Sequence, residues 1–360
     1  MSERRRLDGL VDLVRRQWVW GAVAILLLLA VNLAKDPGYL AIGYNPANGA
    51  LVGNLIDILR AAAPIMMIAV GMCLVIATGG IDLSVGSVMV VAGATAMEFL
   101  ATAPDTAGAA LVASLLALGF SLALGLFNGF LVSVVGLQPF ISTLVMMLAG
   151  RGVAKVITSG QNTAATNGAF RWVANGYVLG LPVVFLLALG LAVLVGLLVR
   201  RSALGLMIEA IGMDPRAARL AGINQRGLLM AVYAISGVMA GVAGIFATAS
   251  VMTVDVSRTG DQLELDAILA VVIGGTSLAG GKFNLTGATI GALLIATLDK
   301  TVVFLGVSSS ATPAFKAIVI VALCLLQSER VRGVFRRRRS PAPPTAPMAA
   351  GIQQKEVAAA

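Results

Sequence analysis

Histidine is absent from the chain, which removes the commonest general base and metal ligand. No nucleophile has a base beside it, so hydrolytic chemistry has no starting point. Cys73 and Cys324 both fall within apolar runs, and neither a disulfide framework nor a metal site is read from them. The stretch GTSLAGGKF (275–283) has the look of a phosphate-binding loop. It fails as one: an extra glycine spoils the spacing, Phe283 stands where a Ser or Thr must reach Mg²⁺, and no strand leads into it. The chain is expected to bind no nucleotide, metal or cofactor of its own.

Asp82 is the acid in the most unusual setting. It follows Gly79 and Gly80, whose missing side chains permit unusual backbone angles and close helix approach. An acid beside hydrocarbon is expensive. Two readings stand, and both can hold together. With Gly79, Gly80 and Ser84, Asp82 lines a permeation path or gate. Alternatively it caps the helix starting near Leu83, its carboxylate on the free amides of Leu83 to Val85. Asn128, Gln138 and Asn284 are neutral polar residues in or beside apolar runs, placed to hydrogen-bond a polar solute or another helix. Arg151 and Lys155 are expected to snorkel to the outer surface.

The stretch RRSALGLMIEAIGMDPRAARLAGINQR (200–226) carries five arginines between two long apolar runs. A short helix is written into it. Asp214 suits the N-cap, Pro215 the first turn and Gly222 a left-handed stop. Arg216, Ala217, Ala218 and Arg219 fill the helix, and Ile223 and Asn224 lead out of it. It is about two turns long, below the roughly 12–15 residues an isolated helix needs in water. Either it docks on a separate protein, or it is a solvated loop whose arginines only set topology.

The elements that must position these residues are membrane helices. The chain has 360 residues, is 58% hydrophobic and 12% charged, and has a mean hydropathy of +0.94. Ordinary soluble domains carry about 25% charged residues. Apolar runs of roughly 17 or more residues recur from end to end, each long enough to cross about 30 Å of hydrocarbon. They are continuous and do not alternate, which excludes a β-barrel. The fold class is an all-α polytopic membrane protein.

A net charge of +9 could suggest nucleic acid, but its distribution does not. Five Lys/Arg precede Trp18, five lie in 200–226, one is Lys282 and seven follow Ser328. These segments are expected on the cytoplasmic side by the positive-inside rule, so charge records orientation and membrane lipid rather than a nucleic-acid partner.

Spans are expected at about 19–34, 57–78, 83–101, 109–135, 139–157, 179–199, 227–250, 265–279, 285–303 and 313–327. That is about ten transmembrane helices, with N- and C-termini cytoplasmic. Residues 1–18 form a basic cytoplasmic lead-in, 19–328 the transmembrane domain, and 329–360 a disordered tail. The runs VIATGGIDLSVGS (75–87) and AVVIGGTSLAGGK (270–282) echo each other, each an apolar run followed by a Gly pair. Both read as helix–break–helix turns on one side of the membrane, as in transporters with internal repeats.

AIGMDPRAARLAGIN (210–224) resembles the cytoplasmic loop of the ribose/galactose-type permeases of bacterial ABC importers. ATGGIDLSVGS (77–87), FNGFLVSVVGLQPFISTLVMMLAGRG (127–152) and ELDAILAVVIGGTSLAGGKFNLTGATIGA (264–292) match the same family in order and spacing. The resemblance covers about residues 55 to 328. Its wording around 145–161 and 264–285 is most similar to the galactofuranose permease. Lys282 and the Asp299-Lys300 pair stand outside the family pattern.

The resemblance implies an ABC importer permease fold in the bacterial inner membrane. It implies a second permease subunit, the same chain or a paralogue, a periplasmic sugar-binding protein, and a cytoplasmic ABC ATPase that hydrolyses ATP with Mg²⁺. Residues 210–224 become the coupling segment, with Asp214 to Ala221 as the helix in an ATPase groove. A path lined by Gly, Ser, Thr and Asn fits an uncharged sugar and argues against proton coupling, which needs interior acids or His. The rival readings are an ABC permease for another small solute, such as a nucleoside or amino acid, and an ion-coupled secondary transporter.

Overall fold

The computed structural model describes residues 17–46, 49–308 and 311–327. The expected basic lead-in and C-terminal tail lie outside the described residues, apart from Gln17 and Trp18. Helix α1 (Gln17–Lys35) leads through a hairpin of β1 (Gly43–Asn45) and β2 (Ala50–Val52) into α2 (Asn54–Ala77). Then come α3 (Val85–Thr102), α4 (Ala107–Phe130, continued by a π-helical turn Leu131–Val135) and α5 (Pro139–Ile157). Strand β3 (Thr163–Ala164), the short helix α6 (Gly168–Asn175) and a hairpin of β4 (Tyr177–Val178) and β5 (Leu181–Pro182) precede α7 (Val183–Arg201). Helices α8 (Leu204–Met213) and α9 (Pro215–Leu220) lead to α10 (Gln225–Val251). Strand β6 (Thr253–Val254), α11 (Leu263–Ile273), α12 (Leu285–Phe304) and α13 (Thr312–Gln327) complete the described chain.

The ends of the bundle sort into two faces through their own contacts. On the first, β3 pairs with β6, Leu51 N–H donates to Gly180 O, and Asn167 Nδ2 donates to Thr106 O. Lys35 Nζ also reaches Phe304 O there, joining the ends of α1 and α12. On the second face, the turn after α2, the α8–α9 segment and the turn after α11 meet. Successive long helices therefore alternate direction, as a polytopic membrane protein must.

Helix α2 is the axis of the core. Most of its residues from Ala62 to Ala77 are buried, and it packs on α10, α12, α11 and α7. In a bilayer the apolar effect does not drive helices together, so close packing must. The small-residue pairs supply it: Gly237 lies against Gly125 and Ser121 of α4, Gly291 against Ala270 of α11, and Gly287 against Gly274 just past the end of α11.

Among the described residues, eight helices are long and apolar enough to cross a membrane, and α11 and α13 are shorter. The run at 265–279, already short for a span, forms a helix only over Leu263–Ile273. Helix α11 has 11 residues, about 16 Å of rise. The chain nevertheless changes face between Val251 and Leu285. The remaining distance is covered by the irregular stretch 252–262, whose Gly260 lies with its backbone against Gly86 in the first turn of α3. Val254, Val256 and Gly260 of this stretch are buried in the bundle, while Ser257, Arg258, Asp261 and Gln262 are exposed. Arg151 binds this stretch, with Nη1 3.4 Å from Thr259 O and Nη2 3.6 Å from Oδ1 of the exposed Asp261, and Lys155 is exposed.

Candidate coupling and gating site

Helix α9 is closed at both ends by its own sequence. Asp214 Oδ1 accepts from the amides of Arg216 at 2.8 Å and Ala217 at 3.1 Å, with Pro215 in the first turn. At the other end Gly222 has φ +83, and its N–H donates to Arg219 O while Ile223 N–H donates to Ala218 O. That is the paired bonding of a glycine-terminated helix, available because glycine adopts a left-handed backbone without strain. Six residues are too few to hold a helix on their own, so further ties matter. Gln225 Nε2 donates to Pro215 O, Arg219 reaches Gln225 Oε1 at 3.2 Å, and Asn224 Oδ1 caps α10 through Gly227 N–H. Ala218 is buried, whereas Arg216, Ala217 and Arg219 are exposed and Leu220 is 90% exposed. Leu220 thus leaves an apolar tip uncovered among the described residues.

Behind α9, the C-terminal turn of α8 meets both breaks in the bundle. A Cβ built at Gly212 would lie 1.9 Å from Ala77 O and 2.3 Å from Gly281 N. At this point Gly281 N–H donates to Ala77 O at 2.9 Å. Gly280 in turn lies against Gly79 and Gly212 O. The turns 78–84 and 274–284, which echo each other in sequence, thus share one backbone junction with the segment that carries α9. The phosphate-loop look of 275–283 has this structural origin, since its glycines permit backbone contact.

The first break holds the buried acid. Asp82 is 2% exposed. Its Oδ1 accepts from Ser84 N–H at 3.0 Å and Ser84 Oγ at 2.6 Å, and its Oδ2 accepts from Ser236 Oγ of α10 at 2.8 Å. Asn128 Nδ2 of α4 donates to Ser84 Oγ at 2.8 Å. Asp82, Ser84 and Asn128 are therefore brought together, with Ser236 as the partner that the sequence reading did not contain. The carboxylate serves the amide of Ser84 rather than several amides of the helix start, and it also bridges to α10. The cap reading is narrowed to one amide: Asp82 orders the start of α3 through Ser84, and it sits in a buried polar cluster with Ser236. Asn128 Oδ1 and the Tyr233 hydroxyl have no partner among the described residues. A Cβ at Gly80 would lie 2.8 Å from that hydroxyl and 3.4 Å from Pro139 Cβ.

Gln138 and Asn284 are not part of this cluster. Gln138 is exposed at the start of α5 and makes no capping bond. Asn284 staples the second break: its Oδ1 accepts from Gly287 N–H at 3.0 Å, and its Nδ2 donates to Gly274 O at 3.1 Å. Thr276 Oγ1 also accepts from Asn284 N–H and lies 3.3 Å from Cys73 Sγ, which fixes this turn to α2. Among the described residues no group of three or more His, Cys, Asp or Glu is arranged for a metal.

The Asp299-Lys300 pair also finds a place. Lys316 Nζ lies 2.7 Å from Asp299 and 3.0 Å from Asp266, joining α11, α12 and α13, while Lys300 faces Asp57 of α2 at 4.0 Å. The Lys282 side chain is exposed beside the junction.

The sequence profile of a family described as "Branched-chain amino acid transport system / permease component" matches residues 54–327. The chain is 49% identical over 350 residues to a fructose import permease protein of Bifidobacterium longum, covering 94% of this chain and 97% of that one. It is 43% identical over 330 residues to a galactofuranose transporter permease protein of Escherichia coli, covering 91% and 95%. To an Escherichia coli ribose import permease protein it is 38% identical over 319 residues, covering 86% and 92%. A galactofuranose relative thus appears, as the sequence wording suggested, but the fructose relative is more similar. No solved structure matches the chain significantly. With a profile match spanning both breaks, α8, α9 and every long helix from α2 to α12, this multi-pass membrane protein belongs to that permease family.

Proposed function

We propose that the chain is the membrane-spanning subunit of an ATP-driven, binding-protein-dependent importer of a monosaccharide of the fructose, galactofuranose or ribose class. It works in the bacterial inner membrane with both termini in the cytoplasm. A second permease subunit encloses the path, a periplasmic binding protein delivers the sugar, and a separate cytoplasmic ATPase hydrolyses ATP with Mg²⁺. The chain has no ATPase site of its own.

The observation that carries this reading is the backbone junction Gly212–Ala77–Gly281 behind a helix capped at both ends. A motor that moves α9 moves α10 with it through Gln225 and Asn224, and presses α8 against both breaks. Hydrogen-bonded contacts transmit such a displacement because packed interfaces switch between arrangements rather than deform continuously. The Asp82–Ser236 bond links the first break to α10, so both routes meet at one buried cluster. Unpaired Asn128 Oδ1 and Tyr233 hydroxyl support a cluster that changes partners during the cycle.

Sugar names come from the relatives, two named as import permeases for fructose and ribose and one as a transporter permease for galactofuranose. Uptake of labelled fructose, galactofuranose and ribose by cells carrying the chain with its ATPase and binding protein tests the reading. Uptake is expected to collapse when ATP is depleted while the proton gradient is held. Uptake that survives depletion would point to an ion-coupled carrier instead.

A further inference from the structure

A groove of ≈ 250 Å³ opens sideways between α7 and α12. Leu189, Val193 and Leu197 form its wall and are 41%, 51% and 50% exposed. Toward the face that carries α8 and α9 the lining turns polar, with Arg200, Thr286 and Thr289. Arg200 Nη2 lies 3.4 Å from Thr286 Oγ1. Among the described residues no carboxylate pairs with Arg200. An apolar slot on the outside of the bundle, ending in a guanidinium with no carboxylate partner among the described residues, has the two-part chemistry of a phospholipid.

We propose that this groove holds one anionic phospholipid, with an acyl chain along Leu189, Val193 and Leu197 and its phosphate on Arg200 and the Thr286 hydroxyl. Arginine suits phosphate because its planar donors match two oxygens at once. A free soluble anion would leave the apolar wall unfilled. A second copy of the chain would bury Arg200, which is costly unless that copy brings its own carboxylate to it. A zwitterionic lipid brings its own cation to the headgroup and leaves the arginine's charge uncompensated.

Native mass spectrometry of the purified full-length chain tests this by titrating phosphatidylglycerol and phosphatidylcholine of identical acyl composition. Phosphatidylglycerol is expected to be retained preferentially, with Arg200→Gln weakening retention about fivefold, the scale of one cationic residue at an anionic membrane surface. Gly196→Leu fills the groove, because a Cβ there meets nothing nearer than Leu285 Cδ1 at 4.0 Å, and it is expected to displace the lipid. Arg226→Gln removes the same charge elsewhere on that face and leaves retention unchanged. Equal retention of both lipids, or phosphatidylglycerol retention that survives both Arg200→Gln and Gly196→Leu, would overturn the proposal. Displacement by millimolar inorganic phosphate would also overturn it, since the site would then be one for a soluble anion. The readout is lipid mass, so the outcome is independent of whether the chain imports sugar.

Discussion

Gly281 donates its amide to the carbonyl of Ala77 at 2.9 Å, tying the last turn of α2 to the loop that follows α11. The two residues are far apart in sequence, and Gly212 of α8 lies against both atoms of that bond. The contact is made by backbone alone, so side-chain substitution can break it only by adding bulk.

Gly212→Ala adds that bulk where nothing but backbone can yield. Overpacking of this kind costs about 1–3 kcal/mol. The expected result is a chain that still inserts and still binds its ATPase but imports sugar at least roughly tenfold more slowly, the rate effect of about 1.4 kcal/mol. Co-purification with the ATPase and initial uptake rates measure the two effects separately. Uptake at the parental rate would remove the junction from the proposed mechanism.

Asp214→Ala takes away the oxygen that holds the amides of Arg216 and Ala217, at about 1 kcal/mol. For a helix of six residues that loss is expected to fray α9 and weaken ATPase association, while Asp214→Asn retains most of it. Arg216→Glu and Gly222→Pro are expected to abolish association while leaving membrane insertion intact. Pull-down from detergent extracts, with a protease-accessibility check of insertion, reads both. Full association in all four variants would show that α9 is not the docking element.

Asp82 and Ser236 should be energetically coupled, because one accepts from the other across 2.8 Å in a buried setting. Interhelical hydrogen bonds of this type average about 0.6 kcal/mol and reach about 1.7. A double-mutant cycle of Asp82→Asn and Ser236→Ala, followed by thermal unfolding in detergent, is expected to return a coupling within that range. Strict additivity would mean that the bond contributes nothing.

Lys316 stands between two carboxylates, Asp266 and Asp299. Lys316→Met leaves both acids without their cation; the triad is half-buried, so the cost lies between about 0–1 kcal/mol for surface pairs and about 3–5 kcal/mol for fully buried ones. The variant is expected to unfold at markedly lower temperature than Asp299→Asn, which leaves Lys316 paired with Asp266. Combining Lys316→Met with Asp266→Asn and Asp299→Asn should recover part of the loss. Equal stability of Lys316→Met and the parent would make the triad a surface feature.

The sequence alone determined the membrane class, the long helices and both ends of α9. Each of these is a local property: apolar runs must match bilayer thickness, and Asp214, Pro215 and Gly222 act on atoms within a few residues of themselves. It also marked Gly79, Gly80 and the 274–281 glycines as breaks. It marked the run at 265–279 as short for a span, but not that the glycines after Ile273 end the helix at 11 residues. Nor did it show what Asp82 binds, why Lys316 is charged, or that Gly212 is a contact point. Ser236, Asp266 with Asp299, and Ala77 with Gly281 meet these residues only after helices distant in sequence have packed. Only the tertiary structure decides such pairings, because a buried polar group takes its partner from whatever neighbour the packing brings within hydrogen-bond reach.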